Sequence, residues 1–268
     1  MSFFSYAPVD PASPFHVEPF GAYHLAALSH IAAAVAAIAV FRRALADPRR
    51  ERIVLGAGTA LALALESGLH ICEFAGLPFP DFLRGIIPLD LCAIALWLAV
   101  ALCATRNETV FEFLYFYAIG AIVSLVYVND GGAGPDRFRY YQYFGTHGYT
   151  VLVVAWFALV RGYRIRLSSF LKAVGLLLPL SAAIRLLDLA FADPPLSFNY
   201  MFLRNPPEAR TPLDSFGGGW GYYLAFASLS FVVLFAFYVP WAIASFVESV
   251  AALGRRAKGA ERPSRTKE

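Results

Sequence analysis

Seven stretches of the chain run apolar for about twenty residues each, at 20–41, 53–75, 86–104, 110–128, 141–160, 170–192 and 221–248. At about 1.5 Å of rise per residue, a helix of that length matches the roughly 30 Å hydrocarbon core of a bilayer. The pattern predicts an all-α polytopic membrane protein with seven transmembrane helices. Residues 1–250 form a single domain in this reading, and 251–268 form a basic cytoplasmic tail that is disordered. No internal repeat or low-complexity tract divides the chain. The longest irregular piece, about 193–219, is rich in Pro and Gly, and loops of that length are usually lids or connectors.

Composition supports this reading. Of 268 residues, 59% are hydrophobic and only 15% charged, far from the balance of a water-soluble domain. The Lys and Arg residues then orient the spans. One set of alternate loops holds 5 (Arg42, Arg43, Arg49, Arg50, Arg52), 1 (Arg106), 4 (Arg161, Arg164, Arg166, Lys172) and, in the tail, 6. The other set holds 0, 1 (Arg84), 2 (Arg137, Arg139) and 2 (Arg204, Arg210). The positive-inside rule puts the N-terminus outside and the C-terminus in the cytoplasm, as an odd number of spans requires. The first cationic side chain is Arg42, so the first helix is expected to act as its own insertion signal in the inner (plasma) membrane. The basic tail suits anionic headgroups and is too short to suggest nucleic acid.

All five histidines, His16, His24, His30, His70 and His147, fall on the outer side of this topology. Ionisable groups inside a span cost about 2.5–3.5 kcal/mol each on insertion scales and mark functional positions. Glu66, His70 and Glu73 stand at i, i+4 and i+7 on one face of the second span. Arg185 and Asp188 in the sixth are spaced for an ion pair. The third span opens with Pro88, Asp90 and Cys92, the fourth ends at Asn129 and Asp130, and the fifth carries His147 after Tyr140, Tyr141, Tyr143 and Phe144, a run that reads as an interfacial belt. Together these positions predict a polar pocket opening outward.

A histidine among carboxylates has the parts of a general acid/base. The same groups have zinc-binding chemistry, but no compact ligand motif occurs, and neither metal nor cofactor is expected. Cys72, Cys92 and Cys103 all lie in spans and form no secreted disulfide framework. A retinal protein needs a lysine in the last span, and Lys172, Lys258 and Lys267 all lie outside it; a ceramidase-like hydrolase needs histidines there, and 222–248 has none.

The order of several motifs carries a closer likeness. Phe20-Gly-Ala-Tyr-His-Leu25, Pro88-Leu-Asp-Leu-Cys92, Tyr143-Phe-Gly-Thr-His-Gly148, and Asn199-Tyr-Met-Phe-Leu203 followed by Pro206 together resemble the YwaF-like family of bacterial integral membrane proteins, over nearly the whole chain up to the tail. Its eukaryotic relatives, the transmembrane protein 164 group, are described as acyltransferases of ether phospholipids that use a cysteine and a histidine. The resemblance aligns His147 with the family histidine. The eukaryotic cysteine directly follows the proline, where this chain has Leu89, and Cys92 comes three residues later; bacterial members have a histidine at Asp90. The 217–223 stretch resembles a Gly-Pro-Trp-Pro-Trp-Tyr pattern with both prolines replaced.

The resemblance implies a lipid acyltransferase or hydrolase acting on a phospholipid or other acyl substrate, with His147 as general base, Asp90 orienting or protonating, and Cys92 as candidate nucleophile. His24, Glu66, His70, Glu73, Asn129, Arg185, Asp188, Asn199 and Tyr200 would bind substrate, with 199–203 and the aromatic segment Trp220, Tyr222, Tyr223 as a lid. Two alternatives stand beside it: a small-solute or proton-coupled transporter using the same pocket, and an assembly protein whose buried polar groups only hold helices together.

Overall fold

A computed structural model describes residues 3–5, 9–207 and 212–260, with side chains left out at 212, 213 and 253–260. Among the described residues the regular secondary structure is all helical, and every apolar segment of the sequence is largely helix. The order is α1 (Ala22–Leu45), α2 (Pro48–Gly76), α3 (Phe79–Ile86), α4 (Leu91–Thr105), α5 (Glu108–Tyr117), α6 (Ile119–Val126), α7 (Phe138–Leu159), α8 (Leu167–Ala190) and α9 (Gly219–Ala260). The last helix thus carries on ten residues beyond the start of the expected tail at 251; 261–268 lie outside the described residues.

Local chemistry sets the breaks. The side chain of Asp47 accepts from the Arg49 and Arg50 amides with Pro48 in the first helical position, so only two residues separate α1 from α2. Arg106 ends α4 in the left-handed region at φ 52°, and Asn107 caps α5 through the Thr109 amide at 2.8 Å. Pro88 and the extended Asp90 interrupt the third apolar segment, leaving α3 and α4 bent by 51°.

Among the described residues five helices are long and apolar enough to cross a membrane, counting α5 and α6 as one, and a sixth follows if the bent α3–α4 pair is one span. The remaining apolar segment, the fifth in the chain, forms α7 and is too polar to count by composition. Its place in the fold explains why. It packs on α1, α2, α4 and α6, and ten of its 22 residues are buried, among them Gln142, Thr146 and Thr150. Protein surrounds α7 where lipid would surround α9, which exposes Leu224, Phe231 and Phe246. A protein-lined helix tolerates polar side chains that a lipid-facing one does not. Tyr143 and Phe144 accordingly belong to the core, and only Tyr141 of the aromatic run is exposed.

The two ends of the bundle differ. At one, buried Glu51 of α2 accepts from Arg106 Nε at 2.8 Å and Arg161 Nη2 at 2.5 Å, joining the α4–α5 turn to the loop after α7. The carboxylate holds the Arg161 guanidinium above its ordinary pKa. Glu112 similarly accepts from Ser169 and pairs with Lys172 at 2.7 Å, tying α5 to α8. The opposite end gathers the C-terminus of α2, the N-termini of α4, α7 and α9, and the C-terminus of α8. Here the N-terminal arm lies over the α6–α7 loop: the Val9 and Val17 amides donate to Gly131 and Gly132. Gly132 has φ 73°, and a Cβ on it would sit 2.2 Å from the His16 ring, so only glycine fits.

Candidate functional site

The histidine end holds two polar assemblies. The first runs between α2 and α7. His70 Nδ1 lies 3.0 Å from Glu73 and its Nε2 lies 3.7 Å from Glu66, as the shared face of the sequence predicts. Glu66 in turn accepts from Gln142 Nε2 at 2.8 Å, and Gln142 Oε1 accepts from Arg139 at 2.6 Å. The result is one chain of polar contacts, Glu73–His70–Glu66–Gln142–Arg139, that links two helices. Sequence reading missed Gln142 and Arg139; the available signal was that Arg139, Gln142 and Thr146 recur at helical spacing within an aromatic run. Gly85 of α3 makes room for this chain, since a Cβ there would press on the Glu73 carboxylate at 3.0 Å.

On the same helix, Arg139, Tyr143 and His147 form a ladder at i, i+4 and i+8. The Arg139 guanidinium lies 5.4 Å from the centre of the Tyr143 ring, and that ring lies 4.5 Å from the His147 imidazole. His147 Nδ1 donates to the Tyr143 carbonyl at 2.6 Å, which leaves Nε2 as the acceptor nitrogen. Cys92, in the first turn of α4, is half-buried, faces the Ser124 hydroxyl and lies within electrostatic reach of Asp90, Arg139 and Tyr143. Gly120 admits α6 to this place: a Cβ on it would meet the Cys92 amide at 2.8 Å.

The second assembly docks the loop between α8 and α9. Asp90 accepts from the Met201 amide at 2.7 Å and Asp188 from the Tyr200 amide at 3.0 Å. Two carboxylates from the ends of α4 and α8 thus hold successive amides of a tight turn, in which Met201 and Phe202 have φ of 51° and 55°. The Tyr200 hydroxyl donates to the Arg84 carbonyl at 3.0 Å, Tyr222 donates to the Phe202 carbonyl at 2.7 Å, and Arg185 Nη1 donates to the Leu203 carbonyl. Burial, with Asp90 and Asp188 nearby, pushes the Tyr200 phenol up to about 12. Ile184, Phe198, Met201 and Tyr223 pack beneath. Trp220, at the start of α9, is exposed and covers the Arg185 guanidinium at 4.9 Å.

Arg185 and Asp188 do not form the expected ion pair. The amides and carbonyls of the loop compete for both, and Arg185 Nε and Asp188 Oδ2 are left buried without a partner.

Other sequence candidates serve the framework. His24 is fully buried, accepts from the Phe20 amide at 2.8 Å and lies 2.7 Å from the Leu125 carbonyl, so both nitrogens are engaged in fastening α1 to α6. Each such bond contributes about 1 kcal/mol. His30 turns back to its own helix at Ala26. Asn199 accepts from the Arg204 and Asn205 amides within the loop. Asn129 is exposed; its amide donates to the Tyr143 hydroxyl at 3.4 Å. Asp130 accepts from the Gly132 amide at 3.0 Å, and burial pushes its carboxyl above the usual aspartate range. Among the described residues no three His, Cys, Asp or Glu side chains are placed to hold a metal.

Chemically, α7 offers an acceptor imidazole and a guanidinium at the Tyr143 ring with the Cys92 thiol within electrostatic reach of that tyrosine, and two carboxylates elsewhere fasten the 199–203 loop. No curated protein and no solved structure matches the chain. A sequence profile does, over residues 19–239, a stretch that takes in α1 to α8 and the first half of α9, and by that match the chain belongs to the TMEM164 family.

Proposed function

We propose that the chain is a lipid acyltransferase or lipid hydrolase of the plasma membrane, crossing it seven times with α7 as the fifth span, its N-terminus outside and its C-terminus in the cytoplasm. The observation that carries the reading is the state of His147: its Nδ1–H is committed to the Tyr143 carbonyl, so Nε2 is left as a base. Cys92 is the nucleophile. Its thiol proton passes to His147 as sulfur attacks an ester carbonyl, and the tetrahedral intermediate collapses to a thioester while His147 returns the proton to the departing alcohol. A second alcohol or water then takes the acyl group by the reverse steps. Asp90 orients the loop that closes over the thioester, and the Glu66–His70–Glu73 group sets the charge of the pocket.

The test is lipid mass spectrometry on membranes from cells lacking the protein, complemented with wild type, or complemented with His147→Ala at equal protein levels. A change in acyl composition reversed by wild type alone supports the reading; three identical lipid profiles refute it. Cys92→Ser separates a thioester route from direct attack by a His147-activated alcohol or water. One observation favours solute transport as the second reading: the 51° break between α3 and α4 puts Asp90 at an interrupted helix, as in many transporters. Proton-coupled uptake into proteoliposomes would establish it.

A further inference from the structure

We infer that Arg185, the glycine loop 217–219 and the first turn of α9 form a binding site for a phosphate ester carried by a membrane lipid. The inference rests on the reading above only in taking that lipid as the substrate; the site itself is argued from other residues.

Arg185 comes first. It is 2% exposed; its guanidinium donates to the Leu203 carbonyl and lies against the faces of Trp220 and Tyr223, at 4.9 and 5.3 Å, and although Asp188 and Tyr222 are within electrostatic reach, no carboxylate among the described residues forms an ion pair with it. Its Nε has no partner. The nearest acid along its helix, Asp188, turns Oδ1 to the Tyr200 amide and leaves its other oxygen unbonded, so the carboxylate does not close on the guanidinium. A buried cation without a hydrogen-bonded anion is costly, and a bound anion removes that cost. Guanidinium is the side chain best matched to phosphate oxygens.

Beside it begins a helix of 42 residues with no acid in its first turn. Such an N-terminus carries partial positive charge and points amides outward. Gly217, Gly218 and Gly219 lead into it and supply no capping side chain. A Cβ added at any of the three meets nothing within 4 Å, and Gly217 and Gly219 adopt φ of 69° and 71°. Bare, open backbone of this kind lets an anion approach closely.

The surroundings select the source of the phosphate. Phe216, Trp220 and Leu224 are all exposed around the loop, an apolar collar suited to acyl chains and headgroups at a membrane interface. Trp220 is exposed and lies over Arg185, placing the guanidinium next to this collar.

The full chain in detergent is titrated with dihexanoyl phosphatidylglycerol, dihexanoylglycerol and glycerol 3-phosphate by calorimetry. The phospholipid should bind at least about tenfold tighter than the diacylglycerol, and Arg185→Gln should erase that difference. Gly218→Glu should do the same by placing a carboxylate in the cradle. That change is sterically open, with an ordinary φ, and keeps the test valid if Arg185→Gln does not fold. Equal binding with and without the phosphate, or a preference untouched by Gly218→Glu, overturns the site. Glycerol 3-phosphate binding as tightly as the lipid overturns the lipid as its source. His147→Ala should keep the preference. A preserved preference in wild-type protein that shows no acyl turnover would sink the enzymatic reading and leave the site standing; acyl turnover by the wild type without the preference would do the reverse.

Discussion

The ring of Tyr143 lies 4.5 Å from that of His147 while the Tyr143 backbone carbonyl holds the His147 Nδ1 proton at 2.6 Å, so one residue fixes both the plane and the tautomer of the histidine. The Tyr143 hydroxyl faces the other way and donates to the Ser124 carbonyl at 2.6 Å. These two functions separate by mutation. Tyr143→Phe keeps ring and carbonyl, and should lower stability by about 1 kcal/mol while leaving lipid turnover within about threefold. His147→Ala should abolish turnover with little change in unfolding temperature. Thermal unfolding in detergent beside the lipid assay checks both.

Glu51 carries the largest predicted cost of any single change. Glu51→Gln removes the anion from two arginines at the opposite end of the bundle, and should destabilise by about 3 kcal/mol, as breaking a buried pair does. Arg161→Ala leaves Arg106 in place and takes away a partly exposed cation, so its loss should stay below about 1 kcal/mol. Equal effects of the two variants on the unfolding midpoint would contradict this ranking.

Asp90 and Asp188 should act as a pair of loop fasteners. Replacing either with Ala removes one charged acceptor from the Tyr200–Met201 turn and should weaken docking by about 1.5–3 kcal/mol. Hydrogen exchange at the Tyr200 and Met201 amides should quicken in each variant, while exchange in α5 and α7 stays as in wild type. Quickening throughout the bundle would mean that the carboxylates support the fold as a whole.

The docking of the N-terminal arm should weaken as pH rises. Asp130 in the native loop holds its proton more tightly than an unfolded aspartate, so its contribution is full below the ordinary range of about 3.9 and is lost as pH rises through the higher native value. Asp130→Asn keeps an acceptor for the Gly132 amide and cannot ionise, so it should flatten that dependence. Protease sensitivity of the arm between pH 4 and 8, compared in the two proteins, reads it directly; parallel curves would remove Asp130 from the account.

Gly132→Ala is a test of the same contact by shape. The added Cβ collides with the His16 ring at a backbone angle L-residues avoid, and the arm should release, with a loss of about 1–2 kcal/mol and unchanged helix content by circular dichroism.

Much of this was legible from spacing. Apolar run length located the helices, and the i, i+4, i+7 spacing of Glu66, His70 and Glu73 predicted a contact that the fold makes. What spacing missed are contacts made between elements. Arg185 and Asp188 are well spaced to pair, but nothing in their own helix tells that the loop 199–203 returns its amides to one and a carbonyl to the other. His24 looked like a pocket residue because its depth was right; the Leu125 carbonyl that occupies it comes from a helix a hundred residues away. Arg139 and Gln142 were hidden because tyrosines around them suggested a membrane interface, where the fold has a protein interior.

The burial of α7 also bears on how the molecule is made. A helix carrying Arg139, Gln142, Thr146 and His147 is a poor candidate for leaving the translocation channel into bare lipid. The helices that receive it, α1, α2, α4 and α6, all precede it in the chain and so emerge from the ribosome earlier. Biogenesis therefore has a built-in sequence: four walls are laid down first, and the polar helix enters a groove already waiting for it.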